Sequence, residues 1–459
     1  MNIELQTYAA HRSAILKLGL PLIASNMAQF AIHMTDTIML GWYDVTALAA
    51  VTLASSLFFV VFIVGSGFAF AVTPIVAAAA EAGDEVQVRR VTRMGLWLSV
   101  IYGFIFTLPF LWAEPILLAM GQEPIVAAAA QDYLVIIAWQ MIPALLVMTL
   151  KSYLAALEHT AVILWATIGT AIMNVIVNYA LIFGNWGAPE MGIEGAAIAS
   201  LLVTLGNVVI LVAYGLIKLP QYDLMRNVWK SDPQIFWRVF HLGWPIGLTS
   251  LAEGGLFTAS AIMMGWIGEI ELAAHGIAIQ LASMTFMIHI GFSQAATVRA
   301  GRALGRQDEP NLRRGAVMAI GLSAVVAFTT VAIFLAIPEA LISAFIDPNE
   351  PEKDMLLSVG VSLLAMAALF QVVDALQVMA LGLLRGVQDT AVPMVIATIS
   401  YWVIGMPISY LLAFTLGVGP VGLWLGLVVG LSFAAVFMMW RFWTRSVRIT
   451  PLKSAHPSA

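Results

Sequence analysis

Residues 18–42 read LGLPLIASNMAQFAIHMTDTIMLGW, and residues 242–266 read LGWPIGLTSLAEGGLFTASAIMMGW. Each stretch is apolar for the roughly 20 residues that a helix needs to cross a bilayer. The two align without a gap at an offset of 224 residues. The alignment continues through residues 18–90 and 242–314, with 23 identities in 73 positions. Matched Gly, Pro, Trp and charged residues set it apart from a chance match of Ala-rich sequence: Leu18-Gly19 with Leu242-Gly243, Pro21 with Pro245, Gly41-Trp42 with Gly265-Trp266, Gly67-Phe68 with Gly291-Phe292, Asp84-Glu85 with Asp308-Glu309, and Arg89-Arg90 with Arg313-Arg314. A repeat of this length makes the chain two related halves.

Working outward, the whole chain of 459 residues is apolar: 61% hydrophobic, 10% charged, mean hydropathy +0.93. A soluble domain is about 45–50% apolar and about 25% charged. A soluble enzyme and a disordered chain are thereby excluded. The net charge of −5 excludes a nucleic-acid partner. With no cysteine there is no disulfide, thiolate chemistry or Cys-type metal site.

Twelve segments are long and apolar enough to span: 14–40, 46–78, 91–113, 124–150, 161–184, 192–217, 235–264, 271–298, 314–337, 355–384, 391–415 and 419–443. The first is too long for a signal-peptide core and lacks a small-residue cleavage site, so it is expected to be a retained helix. Of the 21 Lys and Arg, all but Lys353 fall on one side when the helix count is even. The acidic residues Asp44, Glu114, Glu123, Glu190, Glu269, Glu339, Asp347 and Glu350 fall on the other. Both termini are therefore expected to be cytoplasmic, with Lys453 on that side. An offset of six helices gives both halves one orientation. The expected fold is an all-α polytopic membrane protein, twelve transmembrane helices in two six-helix lobes related by a pseudo-two-fold axis along the membrane normal. The expected boundaries are 1–217 for the first lobe, 218–234 for a cytoplasmic link, 235–446 for the second lobe and 447–459 for a cytoplasmic tail.

No phosphate-binding loop, H-E-x-x-H helix or G-x-S-x-G elbow occurs, and the seven histidines show no ligand spacing. They are read as packing or hydrogen-bonding residues. Three carboxylates lie well inside apolar segments: Asp36 in MTDTIML, Glu253 in SLAEGGLF and Asp374 in QVVDALQ. Such a group at the bilayer centre costs about 2.5–3.5 kcal/mol, and it marks an ion or proton path or a neutral acid that locks helix packing. Gly254-Gly255 permits close backbone approach or a local break. Gln371 and Gln377 flank Asp374 at three-residue spacing, so the three are expected along one helix face. Asn174 and Asn178 share one helix face at i, i+4, a spacing that suits sodium ligation and interhelical hydrogen bonding alike. A buried carboxylate can exchange a proton, Na+ or an organic cation. Where occupancy by one weakens another, two fluxes are coupled.

These residues resemble the MATE (multidrug and toxic compound extrusion) family, in its NorM-like branch, over residues 14–445. The resemblance is carried by LGLPLIASNMAQFAIHMTDTIMLG, by HLGWPIGLTSLAEGGLF, and by QVVDALQVMALGLLRGVQDTAVPM with its R-G-x-x-D-T unit. It implies two six-helix lobes around a V-shaped cavity. The implied function is secondary antiport: Na+- or H+-driven export of cationic amphipathic compounds by a multi-pass protein of the bacterial inner membrane. That protein would work as a monomer in contact with lipid and without any cofactor beyond the coupling ion. It also implies that Asp36, Asn174 and Asn178 form a first-lobe cation site, with Ser200 or Thr204 as hydroxyl ligand; Ser200 departs from the usual Thr. Glu253 and Asp374 match a second-lobe sodium site that takes in Phe370 and Gln371. Phe370 stands where some relatives carry Tyr and keeps only the ring. Na+ is thus the expected metal at Asp36, Glu253 and Asp374. A flippase for lipid-linked precursors is the alternative. The near-absence of basic residues mid-membrane weighs against its anionic substrate. An intramembrane enzyme lacks a catalytic constellation here.

Overall fold

The computed structural model describes residues 5–119, 121–346 and 351–449. Asp347, Glu350, Lys453 and the tail beyond residue 449 lie outside the described residues. Among those described there are twelve helices long and apolar enough to span a membrane, and no strand. They are α1 (Tyr8–Tyr43), α2 (Ala50–Glu81), α3 (Glu85–Phe110), α4 (Pro124–Ala156), α5 (Thr160–Phe183), α6 (Gly192–Lys218), α7 (Pro233–Ile267), α8 (Glu269–Gly305), α9 (Glu309–Ala336), α10 (Lys353–Gly386), α11 (Ala391–Thr415) and α12 (Pro420–Ser446). Helix is the structure that satisfies every backbone polar group inside one segment, as hydrocarbon demands. All twelve fall where the hydropathy reading sets them, and several run further at one or both ends.

Those longer ends change where the basic residues sit. At 36 residues α1 is about 54 Å long at 1.5 Å per residue, well beyond the ~30 Å of hydrocarbon. Arg12, Arg89, Arg299 and Arg302 accordingly stand on helical turns rather than in loops. Lys151 and Arg385, read from sequence as following their helices, lie within α4 and α10.

The backbone contacts group into two compact units. The first is Leu20–Val76 with Glu85–Leu251. Its core includes Leu117, Leu134, Met141 and Leu145, all fully buried. α2 and α7 approach there so closely that a Cβ at Gly67 would lie 2.4 Å from the carbonyl oxygen of Gly243. A Cβ at Gly243 would lie 2.7 Å from the ring of Phe68. The segment before α7 docks on α3: Arg90 pairs with Asp232, Arg93 donates to the carbonyl of Asn227 (3.2 Å), and Trp97 donates to that of Val228 (2.8 Å). Asp232 also caps α7 by accepting from the Ile235 amide (3.3 Å). The hydrogen bond from Arg90 holds its carboxyl below the ordinary range.

The second unit is Met1–Gly19, Ala77–Asp84 and Ala252–Ala459. Within it a Cβ at Gly19 would lie 3.1 Å from Phe292. The 224-residue offset carries Gly19 onto Gly243 and Phe68 onto Phe292, so residues matched in sequence meet in the same way inside each unit. The offset also carries Arg90 onto Arg314. Arg314 donates to the Gln6 carbonyl (2.9 Å), and its guanidinium lies 5.3 Å from the Tyr8 ring, whose repeat partner is Asp232. Glu81 closes the unit with ion pairs to Arg302 (3.0 Å) and Arg306 (2.7 Å).

Candidate functional site: buried carboxylates among unpaired amides

In the first unit, α1 and α5 are tied by a hydrogen bond between the buried hydroxyls of Ser25 and Thr167 (2.9 Å). Three turns further along α1 lies Asp36. Asn178 donates from Nδ2 to Asp36 Oδ1 at 2.6 Å, and the same nitrogen is 3.2 Å from Asn174 Oδ1. Asn178 thus spends both amide hydrogens as a clip, as its i, i+4 spacing from Asn174 allows. Asn174 and Asn178 are buried, and Asn178 Oδ1 has no hydrogen-bond partner. Buried polar atoms are normally paired, so an orphaned carbonyl oxygen beside a carboxylate marks room for a cation or a proton donor.

Tyr133 of α4, also buried, senses the charge of Asp36 and hydrogen-bonds Ser55. Nothing in the sequence sets it apart from the other nine tyrosines. The Thr204 hydroxyl and the Ser200 carbonyl are engaged elsewhere. Gln140 donates to Thr204 Oγ1 (2.7 Å) and to the Ser200 carbonyl (3.2 Å), while Thr204 donates to that same carbonyl (2.7 Å). Among the described residues no hydrogen bond joins either hydroxyl to Asp36.

The second unit gathers Glu253 of α7 with Asp374, Gln371 and Gln377 of α10. α7 runs unbroken through Gly254-Gly255, so close approach is the use made of them. A Cβ at Gly255 would lie 2.9 Å from the Trp402 ring. Along α10 each three-residue step retreats by about 60°. Gln371 and Gln377 therefore turn to opposite neighbours. Gln371 donates to the Ala282 carbonyl on α8 (3.3 Å), and Gln377 to the Tyr401 hydroxyl on α11 (2.7 Å).

What remains around Asp374 is a set of acceptors with nothing to accept. Asp374 Oδ1 and Oδ2, Glu253 Oε1, Gln371 Oε1 and Gln377 Oε1 are buried without a hydrogen-bond partner. Phe370 is wedged between Phe257 (5.9 Å) and Trp424 (5.7 Å), and Trp424 donates to His275 Nδ1 (3.1 Å). Arg385 and Tyr401 lie within electrostatic reach of Glu253. Sequence reading left Tyr401 aside because a lone Tyr in an apolar run carries no signal. It assigned Arg385 to the end of a helix. Among the described residues no three His, Asp or Glu side chains group as a metal site. A cation at either place would therefore be held by one or two carboxylates and by amide or hydroxyl oxygens, a hard-oxygen set.

Twelve helices long and apolar enough to span, with carboxylates buried among them, define a polytopic α-helical membrane protein. The family model described as MatE matches residues 21–180 and 245–411. The chain belongs to the MatE family. It is 44% identical over 456 residues to the "Probable multidrug resistance protein NorM" of Rhizobium meliloti, covering 99% of this chain and 97% of that one. It is 36% identical over 441 residues to the protein of the same description from Synechocystis, covering 96% of each. A crystal structure of MATE in complex with MaL6 superposes with a TM-score of 0.87 at 19% identity, covering 96% of this chain and 98% of that one.

Proposed function

We propose that the protein is a secondary active multidrug exporter, extruding cationic amphipathic compounds in exchange for Na+ or H+ by alternating access. The observation that carries this reading is the set of buried, unpaired oxygens around Asp374 and Glu253 together with the Asp36–Asn178 clip. A carboxylate stripped of hydrogen bonds is stable only when it takes a proton or a cation. The names of the NorM relatives support drug export.

Na+ fits the donor set better than H+. An amide carbonyl ligates a hard cation, and it cannot hold a proton near neutral pH. In this reading Asp36, Asn174 and Asn178 form the first-lobe site, and Glu253, Asp374 and Gln371 the second. Thr204 joins the first only if Gln140 releases its hydroxyl, Ser200 is the other candidate hydroxyl ligand there, and Phe370 lines the second. Ion binding shifts the balance between inward- and outward-open states only to the extent that it binds one state more tightly. Drug and ion are exchanged when each favours the opposite state.

The lobes are taken as 1–217 and 235–446 with the link 218–234 between them. The protein is taken to be a monomer of the bacterial inner membrane, and the segregation of Lys and Arg supports cytoplasmic termini. The test is ethidium transport by Asp36→Asn and Glu253→Gln. Both variants should fold and lose ion-driven transport. Unchanged efflux in both would overturn the reading.

A further inference from the structure

The eleventh span is not a regular helix. It is α-helical over Ala391–Thr398, π-helical over Ile399–Gly405, and α-helical again over Met406–Tyr410. The cause is local. Pro407 cannot donate to the carbonyl four residues back, at Val403, and its ring crowds that carbonyl. Widening the preceding turn relieves the clash, and single π-turns of this kind recur at functional sites.

The widened turn reaches both carboxylate-bearing helices. Trp402 donates from Nε1 to the carbonyl of Ala252 (3.1 Å), the residue before Glu253, and lays its ring over Gly255. The adjacent Tyr401 is fully buried, and its hydroxyl oxygen accepts from Gln377 Nε2 (2.7 Å), one turn from Asp374. From α12 the turn meets backbone at Gly430, which brings no charge. The charged groups that face Tyr401 are Glu253 on α7 and Asp374 and Arg385 on α10.

We propose that Tyr401 is an oxygen ligand of the second cation site, presented by the π-turn Ile399–Gly405. The proposal rests on the reading of Glu253 and Asp374 as ion ligands. Gln377 takes up one lone pair of the phenol oxygen and fixes its direction. The other lone pair is free for a hard cation, while the phenol keeps its proton. The phenol oxygen joins Asp374 Oδ1 and Oδ2 and Glu253 Oε1, which are buried and unpaired, in a hard-oxygen set of the kind such a cation takes. The Trp402 hydrogen bond is what holds the turn in place, so Trp402 is a positioning residue. Tyr401 thereby sets how tightly Na+ is held.

The experiment is Na+-driven ethidium transport in proteoliposomes across a Na+ series, with wild type, Tyr401→Phe, Trp402→Phe and Asp374→Asn. Tyr401→Phe keeps the ring and removes only the oxygen. It should raise the half-saturating Na+ concentration about tenfold. Its rate at saturating Na+ and its ethidium half-saturation should stay within about twofold of wild type. Trp402→Phe should raise the half-saturating Na+ concentration by about threefold and preserves the test should Tyr401→Phe fail to fold. A purely structural Tyr401 would lower the maximal rate or the melting temperature and leave Na+ half-saturation unmoved, which overturns the proposal. Na+-dependent transport by wild type, lost in Asp374→Asn and unshifted in both aromatic variants, overturns the role of Tyr401 alone. Transport that ignores Na+ in wild type overturns the ion-site reading beneath it.

Discussion

Asp374→Asn is the substitution whose consequences follow most directly from the structure. The side chain is 1% exposed and neither carboxylate oxygen has a hydrogen-bond partner. The amide is the same size, so packing against α8 and α12 is undisturbed. What disappears is one negative charge facing a bound cation. Two unit charges 4 Å apart at an effective dielectric near 20 attract by about 4 kcal/mol. Glu253 and the amide carbonyl that remains retain part of this, so the loss is about 2–4 kcal/mol, or roughly 30- to 1,000-fold in cation affinity. Stability moves the other way. The new Nδ2 hydrogens can pair with the orphaned oxygens of Glu253, Gln371 or Gln377, each of which costs about 1–3 kcal/mol unpaired. The variant is therefore expected to melt at or above the wild-type temperature and to lose ion-driven transport. The assay pairs a thermal melt of the purified protein with Na+-driven dye uptake in proteoliposomes. Wild-type Na+ dependence in a folded Asp374→Asn would refute the electrostatic argument. So would a large fall in melting temperature, since it would show that the carboxylate serves packing.

Three further outcomes follow from other parts of the molecule. Gly67→Ala places a methyl 2.4 Å from two backbone atoms of α7, which cannot rotate away; a loss of about 1–3 kcal/mol is expected and is read as a lower melting temperature. Trp424→Phe leaves His275 Nδ1 without its donor in a fully buried pair, costing about 1–3 kcal/mol, and differential melting against wild type measures it. Asp232→Asn removes a carboxylate held below its ordinary value of 3.8 by Arg90. A group whose folded value is depressed stabilises above its unfolded value and ceases to do so as the pH falls through the folded one. The stability gap between wild type and Asp232→Asn, no more than about 1 kcal/mol for so accessible a pair, should be constant from neutral pH to about 4 and vanish below. A gap that widened on acidification would contradict the pairing.

The parts of this fold that are legible in the sequence are those written as pattern. Hydropathy sets the twelve spans because the bilayer imposes one length scale on each. The offset of 224 sets the repeat because Gly67 and Gly243 are held by close backbone approach and Gly19 by the ring of Phe292, where few residue types fit. Helix ends were less legible. Past the hydrocarbon nothing in hydropathy separates a charged helical turn from a loop, so Arg12 and Arg299 read as connections. Intramembrane carboxylates stand out because charge is rare there. Their neighbours do not: Tyr133 and Tyr401 look like any aromatic in an apolar helix, and only the fold shows what they face. The hydroxyls of Ser200 and Thr204 were picked by their place on α6. The bond that holds the Thr204 hydroxyl comes from Gln140, 64 positions away in sequence, a pairing that spacing does not encode.

The central claim is that ion flux through buried carboxylates drives export. Its most direct test is ethidium uptake into everted membrane vesicles, with an outward Na+ gradient and an outward H+ gradient imposed separately, for wild type and for the Asp36→Asn/Glu253→Gln double variant. Uptake driven by the Na+ gradient in wild type, and absent in a folded double variant, is the predicted result. Uptake that proceeds without either gradient, or that survives in the double variant, would contradict it.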